Sequence, residues 1–279
     1  MTAGRRALVT GASSGIGREV ARGLAARGYE TVLAVRNRGR GEAASRDIAA
    51  STRTEAPAVL LVDFSEPASI RAFADEAAKR YSSLDVLVNN AGIWSTRRRE
   101  TREGRELVWA TNQLGYFLTT QLLLPLLRAA PEARIVNVAS GLAMDLDLED
   151  VEFKRRPYTA ISAYAQSKQA NRMWTRALAR RLAGTSITAN SLDPGGVATA
   201  IVRKGGGFLA RIAGRFGAGR RGKTPAEGAE TPLWLAASEE ASGRTGLFFS
   251  RRQEKPCRFV NEAEEERLYD LCARMTGGG

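Results

Sequence analysis

The stretch "TGASSGIGREVARGLAARG", residues 10–28, decides how the chain folds. Gly11, Gly15 and Gly17 stand just after the apolar run "ALVT" (residues 7–10), at the start of a segment with helical periodicity. Glycines at such a strand-to-helix junction let the backbone turn tightly, approach a pyrophosphate and pack the next helix close. The free N–H groups and the dipole of that helix then attract negative charge. A glycine trio says little alone. With a strand before it, a helix after it and an α/β pattern beyond, it meets the context that a dinucleotide-binding loop requires.

That pattern continues along the chain. Short apolar runs recur at 31–35 ("TVLAV"), 58–63 ("AVLLVD"), 84–90 ("LDVLVNN"), 134–140 ("RIVNVAS") and 186–192 ("SITANSL"). Each is continuous rather than alternating, as strands buried on both faces are. Between them lie helical segments such as "SEPASIRAFADEAAKRY" (65–81), with Ser65 as the expected cap, Pro67 in the first turn and Ile70, Phe73 and Ala77 on one face. The expectation is one domain over residues 1–279, a Rossmann-type doubly wound parallel sheet of about seven strands with helices on both faces. Two segments break the rhythm: 141–159, irregular and of mixed charge, and 203–223, rich in glycine and arginine.

Composition narrows the function. The 279 residues carry a formal charge of +12, and only six of the 42 basic residues are lysine. Such a charge alone does not define a polyanion-binding surface. The run "STRRRETREGR" (95–105) belongs to no nucleic-acid motif, so no specific nucleic-acid partner is expected. Cys257 and Cys272, in a chain without histidine, cannot complete a four-ligand zinc site, and no metal is expected. The N-terminus lacks an apolar signal core, and the longest apolar region, "LGYFLTTQLLLPLL" (114–127), is too short to cross a bilayer. A cytoplasmic protein is expected.

With no histidine, proton transfer near neutral pH needs another group. In "SAYAQSKQANRMW" (162–174), Tyr164 and Lys168 are four residues apart and share a helix face. A phenol titrates near 10, and an adjacent ammonium favours the phenolate and lowers that value. The pair can therefore take the place of histidine. Tyr158 is a second phenol nearby, but Ser162 stands four residues after it, so it reads as a pocket wall or surface residue.

The glycine spacing resembles that of the short-chain dehydrogenase/reductase family. Further marks follow in the family's order: Asp63 and Phe64, "NNAG" at 89–92, Asn112, Ser140, Tyr164 with Lys168, and "PGGVAT" at 194–199. The resemblance implies a catalytic tetrad in which Tyr164 is general acid in reduction and base in oxidation. In it Lys168 binds the nicotinamide ribose, Ser140 orients the substrate oxygen and Asn112 holds a water linking Lys168 to solvent. It also implies cofactor contacts from Gly11, Ser13, Ser14, Gly15, Ile16, Gly17, Asp63, Phe64, Asn90, Ala91, Gly92, Tyr164, Lys168, Pro194, Gly195, Val197 and Thr199. Arg36, after the second strand with no acidic residue beside it, would accommodate a ribose 2′-phosphate, so NADP(H) is preferred over NAD(H). Asp193 departs from the asparagine or histidine of many relatives.

The 24 residues from Ser140 to Tyr164, with the C-terminal "GLFFSRRQEKPCRFVNEAEEERLYDLCARM", resemble the retinol dehydrogenase and WW-domain oxidoreductase branch. The implied function is hydride transfer between NADP(H) and the carbonyl or alcohol of a medium-to-bulky lipophilic small molecule, including ketoreduction in secondary metabolism. The resemblance also implies a substrate lid near 200–224 and a homodimer or homotetramer. A catalytically idle NADP(H) sensor on the same fold is the alternative.

Overall fold

The computed structural model describes residues 4–196 and 223–277. Val197, Thr199 and all of the expected lid except its last two residues lie outside the described residues.

Among the described residues, eight strands form one sheet in the order β3-β2-β1-β4-β5-β6-β7-β8. They are β1 (Arg6–Thr10), β2 (Glu30–Val35), β3 (Ala58–Leu61), β4 (Val86–Asn89), β5 (Ala133–Val138), β6 (Ile187–Asp193), β7 (Phe248–Ser250) and β8 (Gln253–Lys255). All neighbours run parallel except β7 and β8. The chain winds outward from β1 to β3, then returns to the centre to lay β4 beside β1. Ligands of open α/β sheets bind in the crevice beyond the strand ends at this reversal.

Alternate residues of each central strand enter different cores, which is why the apolar runs are continuous. Leu8, Leu87 and Ile135 face α3 (Pro67–Arg80), α5 (Gly115–Arg128), α6 (Ala160–Arg181) and α8 (Glu262–Met275). Ala7, Val9, Val86, Val88 and Val136 face α1 (Gly15–Ala25), α2 (Arg38–Thr52) and α7 (Pro225–Ala237). Trp109 and Trp174 are fully buried in the structure.

Three local features differ from the sequence expectation. Glu66, not Ser65, occupies the cap position of α3 and makes no side-chain cap bond. The Ser65 hydroxyl and N–H are drawn instead to Asp63 Oδ1, at 2.7 and 3.0 Å. The sheet has eight strands rather than about seven. The extra one, β8, is a three-residue antiparallel edge joined to β7 through Arg251 and Arg252, at φ 54° and 60°. Hairpin turns of this left-handed kind normally carry asparagine or glycine, so the sequence has no turn signal there. Finally, the helix bearing Asn112 is not uniform: α4 (Leu107–Trp109) passes through a π turn, Ala110–Leu114, before α5 begins. Such turns recur at functional sites.

No helix among the described residues is long and apolar enough to cross a membrane. The C-terminal helix α8 is held to α6 by Glu265, a fully buried carboxylate that accepts from Arg176 Nε at 2.7 Å and from Arg180. Removing one partner of a buried ion pair strands the other charge, typically costing about 3–5 kcal/mol. The two arginines are about a third exposed. Glu265→Ala is therefore expected to lower unfolding free energy by about 2–3 kcal/mol in urea titration, with Glu265→Gln milder.

Candidate active site

The glycine loop and the "NNAG" segment meet where β1 and β4 end. The Thr10 hydroxyl accepts the N–H groups of Asn90 and Ala91 at 2.8 and 2.9 Å, and Asn90 Nδ2 donates back to the Thr10 carbonyl at 2.9 Å. Gly11 sits at φ +66°, where a Cβ would lie 2.9 Å from Ala91 Cα. A Cβ on Gly17 would meet Asn90 Nδ2 at 2.4 Å and the Gly11 carbonyl at 2.8 Å. Neither position has room for a side chain. Ser14 precedes α1 in extended conformation without a side-chain cap bond, and the first turn of α1 contains no acidic residue. Its backbone donors are thus suited to an anion, and the cradle fits the pyrophosphate of a dinucleotide.

The next side of the crevice is α6. Tyr164 and Lys168 share its inner face, with the Lys168 ammonium 5.8 Å from the Tyr164 ring centroid and 5.1 Å from that of Tyr116. Lys168 Nζ donates to the Val138 carbonyl at 2.9 Å and to Asn171 Oδ1 at 3.1 Å. Ser140 stands just past the end of β5; its Oγ accepts the Leu142 N–H at 3.1 Å, and its side chain lies beside the Tyr164 hydroxyl. Trp94 packs on Tyr164 with ring centroids 5.3 Å apart.

Asn112 holds Ile93 from both sides, accepting its N–H at 2.8 Å and donating to its carbonyl at 3.1 Å, and it also donates to Ser167 Oγ. Its own carbonyl accepts from Asn171 Nδ2 at 2.9 Å. Asn171 thus joins Asn112 to Lys168 directly. Sequence reasoning missed Asn171, although it lies three residues after Lys168 and seven after Tyr164, the spacing of a shared helix face.

Burial pushes the Tyr164 hydroxyl up to about 12; the Ser140 side chain beside it pulls the other way and the Asp193 carboxylate adds to the rise. Burial alone brings the Lys168 ammonium down to about 7. The sequence expectation, a phenol lowered by its lysine, meets a stronger effect here: desolvation outweighs an ammonium that is itself bound to a carbonyl and an amide. The phenol is protonated across the neutral range, and the ammonium is poised to gain or lose its proton. The arrangement can hand a proton to a developing alkoxide and draw a replacement from its lysine side.

The remaining expected residues are placed around this centre. Arg36, 75% exposed, follows β2 at the mouth of the glycine loop, with its guanidinium 3.9 Å from Asp63. Phe64 is buried beside α5, where its carbonyl lies 2.8 Å from the position a Cβ on Gly115 would take. Asp193 Oδ1 accepts the Gly195 N–H at 3.0 Å and so caps the turn at Pro194. The 141–159 segment lies beside the site without regular structure. Tyr158 donates to the Ser95 carbonyl at 3.1 Å and packs edge-on against Phe153.

Residues 5–206 match the family described as short chain dehydrogenase. Retinol dehydrogenase 12 of Mus musculus is 36% identical over 278 residues, covering 98% of this chain and 87% of that protein. The solved structure of a protein from Mycobacterium Paratuberculosis is similar with a TM-score of 0.78 at 32% identity, covering 98% of this chain and 94% of that one. A short chain dehydrogenase from Burkholderia cenocepacia J2315, solved in complex with NADP, has a TM-score of 0.70 at 29% identity and covers 88% of this chain and 94% of its own. The glycine cradle, the tyrosine–lysine face and a match that spans nearly the whole chain lead to one conclusion: this chain belongs to the short chain dehydrogenase family, on its retinol dehydrogenase branch, and is an oxidoreductase of CH–OH and C=O groups that takes a nicotinamide cofactor.

Proposed function

We propose that the protein is an NADP(H)-dependent carbonyl reductase, reversible to alcohol oxidation, acting on a medium-to-bulky lipophilic small molecule. The observation that carries this reading is the convergence of Ser140, Tyr164 and Lys168 on one crevice wall beside the glycine cradle. When bound, the nicotinamide supplies or accepts the hydride. Gly11, Ser13, Ser14, Gly15, Ile16 and Gly17 would hold its pyrophosphate. Asp63, Phe64 and the Asn90–Gly92 segment would flank the adenosine and ribose. Pro194 and Gly195, with Val197 and Thr199, would meet the carboxamide.

Tyr164 is the proton donor in reduction, because burial keeps its hydroxyl protonated at neutral pH and Ser140 lies beside it. Lys168 favours the phenolate left behind, and Asn171 and the Val138 carbonyl keep its ammonium in place. Trp94 covers one side of Tyr164 with an apolar ring, which excludes water and suits a lipophilic carbonyl. The relative named as a retinol dehydrogenase and the structural neighbour bound to NADP support the substrate class and the cofactor.

The first test is oxidation of NADPH and NADH across ketones, aldehydes including retinal, and quinones. Tyr164→Phe should lower turnover by about 10²–10⁴-fold while leaving cofactor affinity nearly unchanged. Cofactor binding without turnover on any carbonyl would favour the idle sensor. Arg36→Asp removes the cation facing a 2′-phosphate and should weaken NADPH relative to NADH by about tenfold to a hundredfold, measured as the ratio of kcat/KM values.

Lys168 also sets a pH dependence of stability. Its folded value is about 7, against about 10.4 unfolded. The cost of burying the charge is present in full below pH 7 and disappears as pH rises, because between these values the unfolded chain binds the extra proton. Wild-type stability relative to Lys168→Met should therefore increase from pH 7 toward about 10, read from denaturation midpoints at fixed ionic strength.

A further inference from the structure

Four residues beyond Lys168 on the same face of α6 lies Arg172, a guanidinium with 4% of its surface exposed. Its Nη2 donates to the Ser140 carbonyl, and its Nε has no partner among the described residues. The guanidinium carbon stands 3.7 Å from the Phe248 ring centroid and 5.7 Å from that of Phe259. A long cation buried between two rings is an expensive thing to keep, and burial pulls its ordinary value down to about 10.

A carboxylate, Asp193, lies in the same neighbourhood. Its Oδ1 is fixed by the Gly195 N–H, and its Oδ2 accepts Ser250 Oγ at 3.4 Å. A Cβ on Gly141 would lie 3.1 Å from the same Oδ2. The Ser140–Gly141 turn thus lies between a guanidinium bonded to the Ser140 carbonyl and a carboxylate that leaves no room for a side chain at Gly141.

We propose that Arg172 is a positioning residue for proton transfer: by bonding the Ser140 carbonyl and stacking on Phe248 it fixes the turn that holds Ser140 beside the Tyr164 hydroxyl. The inference rests on Tyr164 being the proton-transfer group. Ser140 beside that phenol favours its ionisation and the Asp193 carboxylate opposes it, so a turn that loses the Arg172 bond to its carbonyl leaves the phenolate less favoured. Among the described residues, the titratable and charged groups around Tyr164 and Arg172 are Lys168 on α6, Tyr116 on α5, Asp193 on β6, and Cys257 and Arg258 after β8.

The test follows the Tyr164 phenolate by ultraviolet absorbance against pH in the NADP-saturated protein, each variant being subtracted from its Tyr164→Phe counterpart, with kcat and KM recorded in parallel. Arg172→Met should shift the phenolate titration upward by about one unit, and Asp193→Asn downward by about one. The double variant should return close to wild type, and Arg172→Lys should recover part of the loss in kcat with KM little changed. If Arg172→Met titrates like wild type, the proposal fails. Should the single variant not fold, Asp193→Asn is compared with the double variant; identical titrations there would equally overturn it. The spectroscopic reading needs no turnover, so a protein that reduces no carbonyl would sink the reductase reading separately from the Arg172 assignment.

Discussion

A single hydroxyl organises the centre of the molecule. Thr10 ends β1 where the sheet reverses direction, and its Oγ accepts two successive N–H groups from the loop that ends β4. Those donors have no strand partner once β1 and β4 part, and leaving them unpaired in the interior would cost about 1–3 kcal/mol each. From there the connections continue without a break. Ile93 is held by both ends of the Asn112 amide, the Asn112 carbonyl by Asn171, and the Asn171 carbonyl oxygen by Lys168.

Lys168 shows why so much polar structure is gathered in one place. An ammonium out of water and without a carboxylate beside it survives only if other acceptors are fixed in advance. Asn171 is one such acceptor, and it is kept in orientation by donating to both the Asn112 carbonyl and the Gln113 amide. Beneath it, Thr175 takes Asn137 Nδ2 and gives its proton to the Asn171 carbonyl, while Asn89 donates to Asn137. This buried network crosses from helix to sheet. Burial brings the Lys168 ammonium down to about 7, and the fixed acceptors hold the charged form in place while it is there.

How much of this was legible in the sequence depends on whether the information was local. Continuous apolar runs placed six strands to within a few residues, because burial on both faces leaves no other pattern. The glycine loop and the Tyr164–Lys168 pair were legible because each is a short motif whose spacing is itself the geometry. Ser65 misled, since a capping serine and a serine bonding back to Asp63 look the same in one dimension. β8 was missed because its turn uses two arginines in the left-handed region, and only the contacts of Arg252 with Thr231 and Glu230 show what holds it there. Arg172 and Asp193 are far apart in sequence and acquire meaning only when the Ser140 turn lies between them.

The abundance of arginine, ambiguous as composition, has a structural use in the segment between Ser140 and Tyr164. Residues 141–159 make neither helix nor strand, so their carbonyls need partners from elsewhere. Guanidinium groups supply them. Arg98 Nε donates to the Glu152 carbonyl at 2.9 Å, Arg155 to the Glu149 carbonyl at 2.6 Å and Arg156 to the Asp145 carbonyl at 2.9 Å. Asp150 closes the loop by accepting the backbone N–H groups of Lys154, Arg155 and Arg156. A planar fork with five donors can bond a carbonyl with one arm and pack or pair with another, as Arg156 does over the Phe153 ring. Lysine, a point charge on a flexible stem, could not replace it. The same device, a guanidinium bonded to a main-chain carbonyl while stacked on an aromatic ring, recurs at Arg172. An irregular wall beside the site and the turn that carries Ser140 are thus fixed by one kind of bond.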